Sequence, residues 1–204
     1  MIEPIKLDPF GVLKTKIPTD LQNKLLKECF NAEKQNKEMI TGISFKGAPK
    51  HYYVTETLQE LGNYVFFVKK EYDKYFPGLA DLKILTKDLP FVLDKPWFNF
   101  QEKNQFIPQH THDGIYSYNI WLKIPYDYDT ESKEQNHSQD QLRCFELTYL
   151  SCAGVIKFYN IPLSKEDEGT MIMFPSKLPH IAYPFYSSNE KRISLAGNIL
   201  LGVN

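Results

Sequence analysis

The chain has few cysteines, no surplus of either charge and no long apolar run, and each shortage removes a class of protein. Its three cysteines, Cys29, Cys144 and Cys152, form no CxxC pair. An odd number without paired spacing fits free thiols in a reducing compartment, not a disulfide framework. Lysine plus arginine number 24 against 25 for aspartate plus glutamate, a formal net charge of −1. No global field therefore draws the chain to nucleic acid or to an anionic membrane. No apolar stretch reaches the roughly 18 residues of a membrane-spanning helix. The opening Met1-Ile2-Glu3-Pro4 lacks the basic-then-apolar order of a signal peptide. The expected location is the cytoplasm. No internal repeat is present.

What the chain does have is aromatic residues, 14 Phe and 13 Tyr beside only 2 Trp, a supply that suits strands. At 204 residues it has the length of one domain, expected over 1–204, and can bury a sizeable core unaided. Residues 5–16 alternate loosely and predict a first strand. Pro18-Thr19-Asp20 reads as a helix start with Thr19 or Asp20 as the cap. Leu21, Leu25, Leu26, Cys29 and Phe30 follow at helical spacing and predict a helix over 20–37. Residues 38–54 read as loop with a short strand, and His51 within it as structural or solvated. A second helix starts near Thr55-Glu56-Thr57-Leu58 and carries Leu58, Leu61, Val65, Phe66, Val68 and Tyr72 on one stripe. Pro77-Gly78 ends it. Lys69, Lys70, Glu71 and Lys74 read as its solvated face.

Past Leu79 the period shortens to two. Ala80 to Leu85 and Phe91 to Leu93 are short apolar pieces. Residues 97–101, 116–124, 144–150, 154–159, 170–174 and 193–201 alternate in the manner of strands. Short strands after two helices predict a β-sandwich or barrel with helices on one side. Residues 126–141 are polar, without an apolar period, and read as an insertion with His137 exposed.

Two stretches carry candidate chemistry. In Gln109-His110-Thr111-His112-Asp113 the histidines are two apart and share a face if the segment is extended. His180, after the apolar run Thr170 to Phe174, is the natural third imidazole. Three such groups make a facial set of metal ligands that leaves coordination positions open. Twelve residues past His180 come Arg192 and Ser194, again on one face of an apolar strand. A buried arginine is costly unless an anion pairs with it, and its planar fork suits a carboxylate. A chelating metal beside a carboxylate-binding arginine suggests a ligand with both ends, such as 2-oxoglutarate.

The order of these motifs resembles the Fe(II)- and 2-oxoglutarate-dependent dioxygenase superfamily, and most of all its members from marine bacteriophages. The similar stretches are Trp97-Phe98-Asn99, Pro108 to His112, Ile120 to Tyr126, Gly169 to Ser176, His180, and Arg192 to Asn198. They span residues 91–200. The resemblance implies a mainly β (α+β) fold, a double-stranded β-helix or jelly roll with N-terminal helices packed outside. Residues 1–90 would be the support region and 91–204 the core. It implies Fe(II) on His110, His112 and His180, with 2-oxoglutarate and O2 as co-substrates. Arg192 and Ser194 would bind the distal carboxylate; Asn198, Asn119 and Trp121 occupy pocket-facing positions by parity. The reaction would be oxidation of an unactivated C–H bond, hydroxylation by default, on an unknown small molecule or protein side chain. A homo-oligomer is open, and a phage-encoded chain would work in the host cytoplasm.

The chain departs from the family at one place. Where the family carries an acid two residues after the first histidine, this chain has His112. Three histidines could form the site, Asp113 could supply an oxygen, or the site could be degenerate; the favoured arrangement has three histidines with Asp113 as an outer partner. Two rival readings are a non-catalytic viral jelly roll with a structural or interaction role and a cupin-like metalloprotein without the co-substrate.

Overall fold

The computed structural model describes residues 10–35, 48–80, 89–134 and 143–202. The expectations for residues 5–9, 36–47, 81–85 and His137 lie outside the described residues. The chain opens with β1 (Leu13–Lys16) and α1 (Thr19–Lys34), then β2 (Lys50–Tyr53) and α2 (Leu58–Tyr75). The β-rich part follows as β3 (Phe91–Leu93), β4 (Trp97–Gln101), β5 (Ile107–His110) and β6 (Tyr116–Lys123). After α3 (Tyr128–Glu134) come β7 (Cys144–Leu150), β8 (Ile156–Pro162), β9 (Thr170–Pro175), β10 (His180–Ala182) and β11 (Arg192–Leu201). The fold is mainly β with helices to one side, as expected. No helix among the described residues is long and apolar enough to cross a membrane.

Two antiparallel sheets face each other. The larger runs β1-β9-β6-β11-β4-β2, with β3 also on β11; the smaller runs β5-β10-β7-β8. The period of two divides each long strand between two cores. In β6, Tyr116, Tyr118, Ile120 and Leu122 pack toward the helices, together with Ile193, Leu195 and Ile199 of β11 and with Leu21, Leu25, Leu61, Val65 and Tyr72. The alternate residues point between the sheets, where Trp121 joins Phe145, Leu147, Ile172, Phe174 and Phe185.

Three local expectations need correction. Helix α1 takes Thr19 and Asp20 inside its first turn with Pro18 at the cap position, and no side chain caps it; Pro18 presets the backbone just ahead of the helix. Lys69 is not on a solvated face. It is buried, paired with Asp73 at 2.7 Å, and its ammonium lies 3.9 Å over the Phe91 ring. Strand β3 covers that flank of α2, a tertiary placement that helical spacing does not reveal. The polar insertion contains α3, whose Glu131 is fully buried. Its carboxylate accepts the backbone N–H groups of Tyr186 at 2.5 Å and Ser187 at 2.8 Å. A carboxylate with dedicated backbone donors can sit in a core that an unpaired one could not.

Candidate active site

The site is assembled by sheet pairing. His110 ends β5 and His180 begins β10, and the two are direct partners across the small sheet. His112 lies two residues beyond β5, where its N–H donates to the Ser176 carbonyl at 2.9 Å. One ligand atom from each of the three rings lies within 4.8 Å of the others. Ring centroids are 4.3 Å apart for His110–His180, 4.9 Å for His110–His112 and 5.1 Å for His112–His180.

Backbone carbonyls set the tautomers. His110 Nδ1 is 2.8 Å from the Pro108 carbonyl and His180 Nδ1 is 3.0 Å from the Leu178 carbonyl. A carbonyl only accepts, so each neutral ring carries its proton on Nδ1 and keeps the Nε2 lone pair for a ligand. Burial holds the rings neutral. It pushes His180 down to about 3 and His112 down to about 4, with the neighbouring His110 adding to both, and it lowers His110 as well. His180 sits between the rings of Phe145 and Phe174, at 5.3 and 5.0 Å. Three neutral imidazoles with free lone pairs suit a divalent first-row metal.

Asp113 stands apart. Its carboxylate is fully exposed and pairs with Lys177 at 2.9 Å, and it is not among the residues that converge. Asp113 lies in the bend that follows β5, and its side chain turns to solvent while that of His112 turns into the cavity.

Arg192, the first residue of β11, faces Gln101 on β4. Its Nη2 donates to Gln101 Oε1 at 2.5 Å and to the Tyr183 carbonyl at 2.6 Å, and its Nη1 donates to the Tyr126 hydroxyl at 2.7 Å. Every acceptor is neutral, although the residue is only 3% exposed. Among the described residues no carboxylate pairs with it. Next on the same face, Ser194 Oγ accepts from Asn99 Nδ2 at 3.3 Å, and Asn99 Oδ1 accepts from Trp97 Nε1 at 3.1 Å. Trp97 in turn touches His112, at 5.8 Å between ring centroids.

Between the sheets lies a cavity of about 390 Å³ that contains the three histidines, Arg192, Ser194, Asn119 and Trp121 in its lining. Among the described residues, Arg192 is the one formally charged side chain of that lining. Asn119 Nδ2 is buried there without a hydrogen-bond partner among the described residues. Asn198, expected beside Arg192 and Ser194, does not line the cavity. Its Oδ1 accepts from Ser117 Oγ at 2.8 Å, so it braces the strands at the far end of β11.

A family model described as "Putative 2OG-Fe(II) oxygenase" matches residues 95–198, half of the chain. The chain belongs to that 2OG-Fe(II) oxygenase family. No curated protein matches it. Among solved structures, a Pseudomonas putida prolyl-4-hydroxylase is similar at 15% identity and TM-score 0.58, over 95% of this chain and 94% of that one. The viral collagen prolyl hydroxylase of Paramecium Bursaria Chlorella virus-1 matches at 12% identity and TM-score 0.54, over 95% and 96%. The α-ketoglutarate-dependent epimerase SnoN of nogalamycin biosynthesis matches at 11% and TM-score 0.62, over 94% and 76%. At such identities the likeness shows the fold, the jelly roll of 2OG oxygenases, with the two sheets left unclosed.

Sequence reasoning missed one residue lining this cavity and one partner of its arginine. His51, read as structural or solvated, lines it, because β2 pairs beside β4 and sets His51 opposite Asn99. Tyr126 reaches Arg192 from the polar insertion. Its one available signal is that an aromatic residue directly follows the β6 strand and Pro125.

Proposed function

We propose that the chain is an Fe(II)- and 2-oxoglutarate-dependent dioxygenase that hydroxylates an unactivated C–H bond. The observation that carries this reading is one cavity holding three neutral, convergent imidazoles and a buried arginine whose protein partners are all uncharged. His110, His112 and His180 would hold the metal through their free ring nitrogens. Bound iron would supply chelation of the 2-oxo acid and activation of oxygen. Arg192, braced by Gln101, Tyr126 and the Tyr183 carbonyl, would receive the distal carboxylate of 2-oxoglutarate and so gain the anion its burial calls for. Ser194 would add a hydroxyl to that carboxylate, and Asn119 would turn its unpartnered Nδ2 to the same co-substrate. Trp121, Phe145 and Phe174 keep bulk water from the chemistry. Trp97, Pro49 and His51 remain on the lining to meet the substrate. Solved neighbours span a peptide, in a prolyl hydroxylase complex from Trichoplax adhaerens, and a small molecule, in the SnoN complex with nogalamycin RO. A protein side chain and a small metabolite are therefore both suitable substrate classes.

Anaerobic addition of Fe(II) and then 2-oxoglutarate to the purified protein tests the reading. The expected result is stepwise thermal stabilisation, a weak visible charge-transfer band, and succinate formation once oxygen is admitted, all abolished by His180→Ala. Arg192→Ala should abolish the 2-oxoglutarate step alone. Metal binding with no 2-oxoglutarate step for Arg192→Ala to remove would point to a cupin-like protein, and no response to either addition to a structural jelly roll.

A further inference from the structure

The small sheet ends in an edge built for another strand. Strand β8 is its last member and pairs with β7 without a register shift. Every residue from Cys152 to Tyr159 is exposed, so the leading half of β8 is open on both faces and along its edge. Its side chains are apolar. Val155, Ile156, Phe158 and Tyr159, with Tyr149 and Leu150 of β7 beside them, are between 37% and 64% exposed. Natural edges are blunted by charge, proline or a bulge; this one has a single charge, Lys157, and no proline before Pro162.

The outward backbone groups can be assigned. Ser151 N–H donates to the Val155 carbonyl at 2.9 Å, so that pair is hydrogen-bonded across the hairpin. In an antiparallel ladder bonded and non-bonded pairs alternate. Tyr149–Lys157 and Leu147–Tyr159 are therefore bonded pairs, and the amides and carbonyls of Ile156, Phe158 and Asn160 point away from the sheet.

We propose that this edge pairs antiparallel with the same edge of a second copy, about a two-fold axis at Phe158. That register sets Phe158 against Phe158 of the second copy and Ile156 against its Asn160. These are the residues whose outward groups are free to exchange hydrogen bonds. Lys157 then falls opposite Tyr159 of the second copy in the closely spaced non-bonded pair, ammonium against aromatic ring, with no like charges facing. A one-residue slip would put inward-bonded groups on the axis and lose this match. Leu150, Ile156 and Phe158 lie on one face of the sheet and Tyr149, Val155 and Tyr159 on the other, so the two-fold pairing brings apolar side chains together on both faces, an interface at the small end of the range that suits a reversible dimer.

Analytical ultracentrifugation across protein concentration, with amide hydrogen exchange at both ends of the series, tests the pairing. The expected species is a reversible dimer in which the Ile156, Phe158 and Asn160 amides exchange slowly, becoming fast on dilution. Phe158→Pro removes only an outward N–H, and Phe158→Lys places a charge at the axis of an exposed position. Each should weaken the dimer by about a hundredfold or more. A monomer at every concentration, a dimer that survives both substitutions, or an open-ended filament would overturn the proposal. No arm depends on iron or 2-oxoglutarate, so the outcome is separate from that of the proposed function.

Discussion

His110 and His180 are direct partners across two short strands, their ring centroids 4.3 Å apart. Each ring is fixed at Nδ1 by the carbonyl two residues before it, so both present Nε2. The convergence of these two proposed ligands is therefore a property of sheet register. His180→Ala should lower Fe(II) affinity by more than about a hundredfold, beyond what loss of an outer partner costs. Calorimetric titration under argon reads this, and retained stoichiometric binding would show that another donor completes the set.

Acid should destabilise the metal-free protein through the same residues. All three imidazoles titrate below the ordinary histidine value, with His112 at about 4 and His180 at about 3. The unfolded chain therefore binds protons first. The stability these groups contribute is fully present above about pH 6.5 and is lost as pH falls through the folded values. Urea unfolding from pH 7 to pH 4 should show the decline, and it should flatten in a His112→Gln, His180→Gln double variant.

Arg192 allows the proposed co-substrate role to be tested apart from metal binding. Its guanidinium is buried among Gln101, Tyr126 and the Tyr183 carbonyl, so part of its desolvation goes uncompensated in the ligand-free chain. Arg192→Met should cost the apo protein about 2 kcal/mol, because buried Gln101 Oε1 and the Tyr126 hydroxyl lose their donor. The same variant should lose thermal stabilisation by 2-oxoglutarate. Arg192→Lys should keep the charge but lose the fork, weakening 2-oxoglutarate by about thirtyfold. Differential scanning fluorimetry with and without the dicarboxylate measures both effects.

The site was more legible in the sequence than the supports around it. His110, His112, Arg192 and Ser194 announce themselves because strand parity is local: residues two apart share a face whatever the rest of the chain does. His180 could be joined to them only by the order of motifs, since no spacing rule pairs β5 with β10. Asn198 shows where parity stops working. It shares a face with Arg192, Ser194 and Ala196, yet β11 runs on past the cavity after Ala196, so the same face reaches a different neighbourhood beside Ser117. Lys69 was misplaced, and Glu131 in the polar insertion passed unnoticed, for a related reason. A charged residue on a helix reads as solvated unless its partner is known, and Asp73 with Phe91 in one case, and the Tyr186 and Ser187 amides in the other, are tertiary partners.

Glu28 of α1 offers a test of such hidden supports. Its carboxylate accepts the backbone N–H groups of Thr55, Glu56 and Thr57 and so caps the start of α2 from a neighbouring helix. Burial acts to raise its pKa, but these hydrogen bonds outweigh it and hold the group below the ordinary value of 4.5. Its contribution is present above that value and is lost as pH falls through the lowered one. Glu28→Ala should cost about 2 kcal/mol at neutral pH and progressively less under acid. Equal losses at both pH values would mean that packing alone is at stake.

The position that departs from the family decides the charge of the site. With three neutral imidazoles the full charge of a bound dication is left for co-substrate and oxygen to balance, whereas Asp113 is tied to Lys177 at 2.9 Å and faces solvent. Asp113→Ala should therefore leave Fe(II) affinity within about twofold, the effect of a distant screened charge. His112→Asp should place a carboxylate where the family carries its acid and bind Fe(II) at least as tightly as the native chain. It should also weaken 2-oxoglutarate, because one negative charge is already in place. The two variants measured together identify the third donor: a large loss in Asp113→Ala would assign it to the carboxylate, and an unchanged Asp113→Ala beside a retained His112→Asp assigns it to position 112.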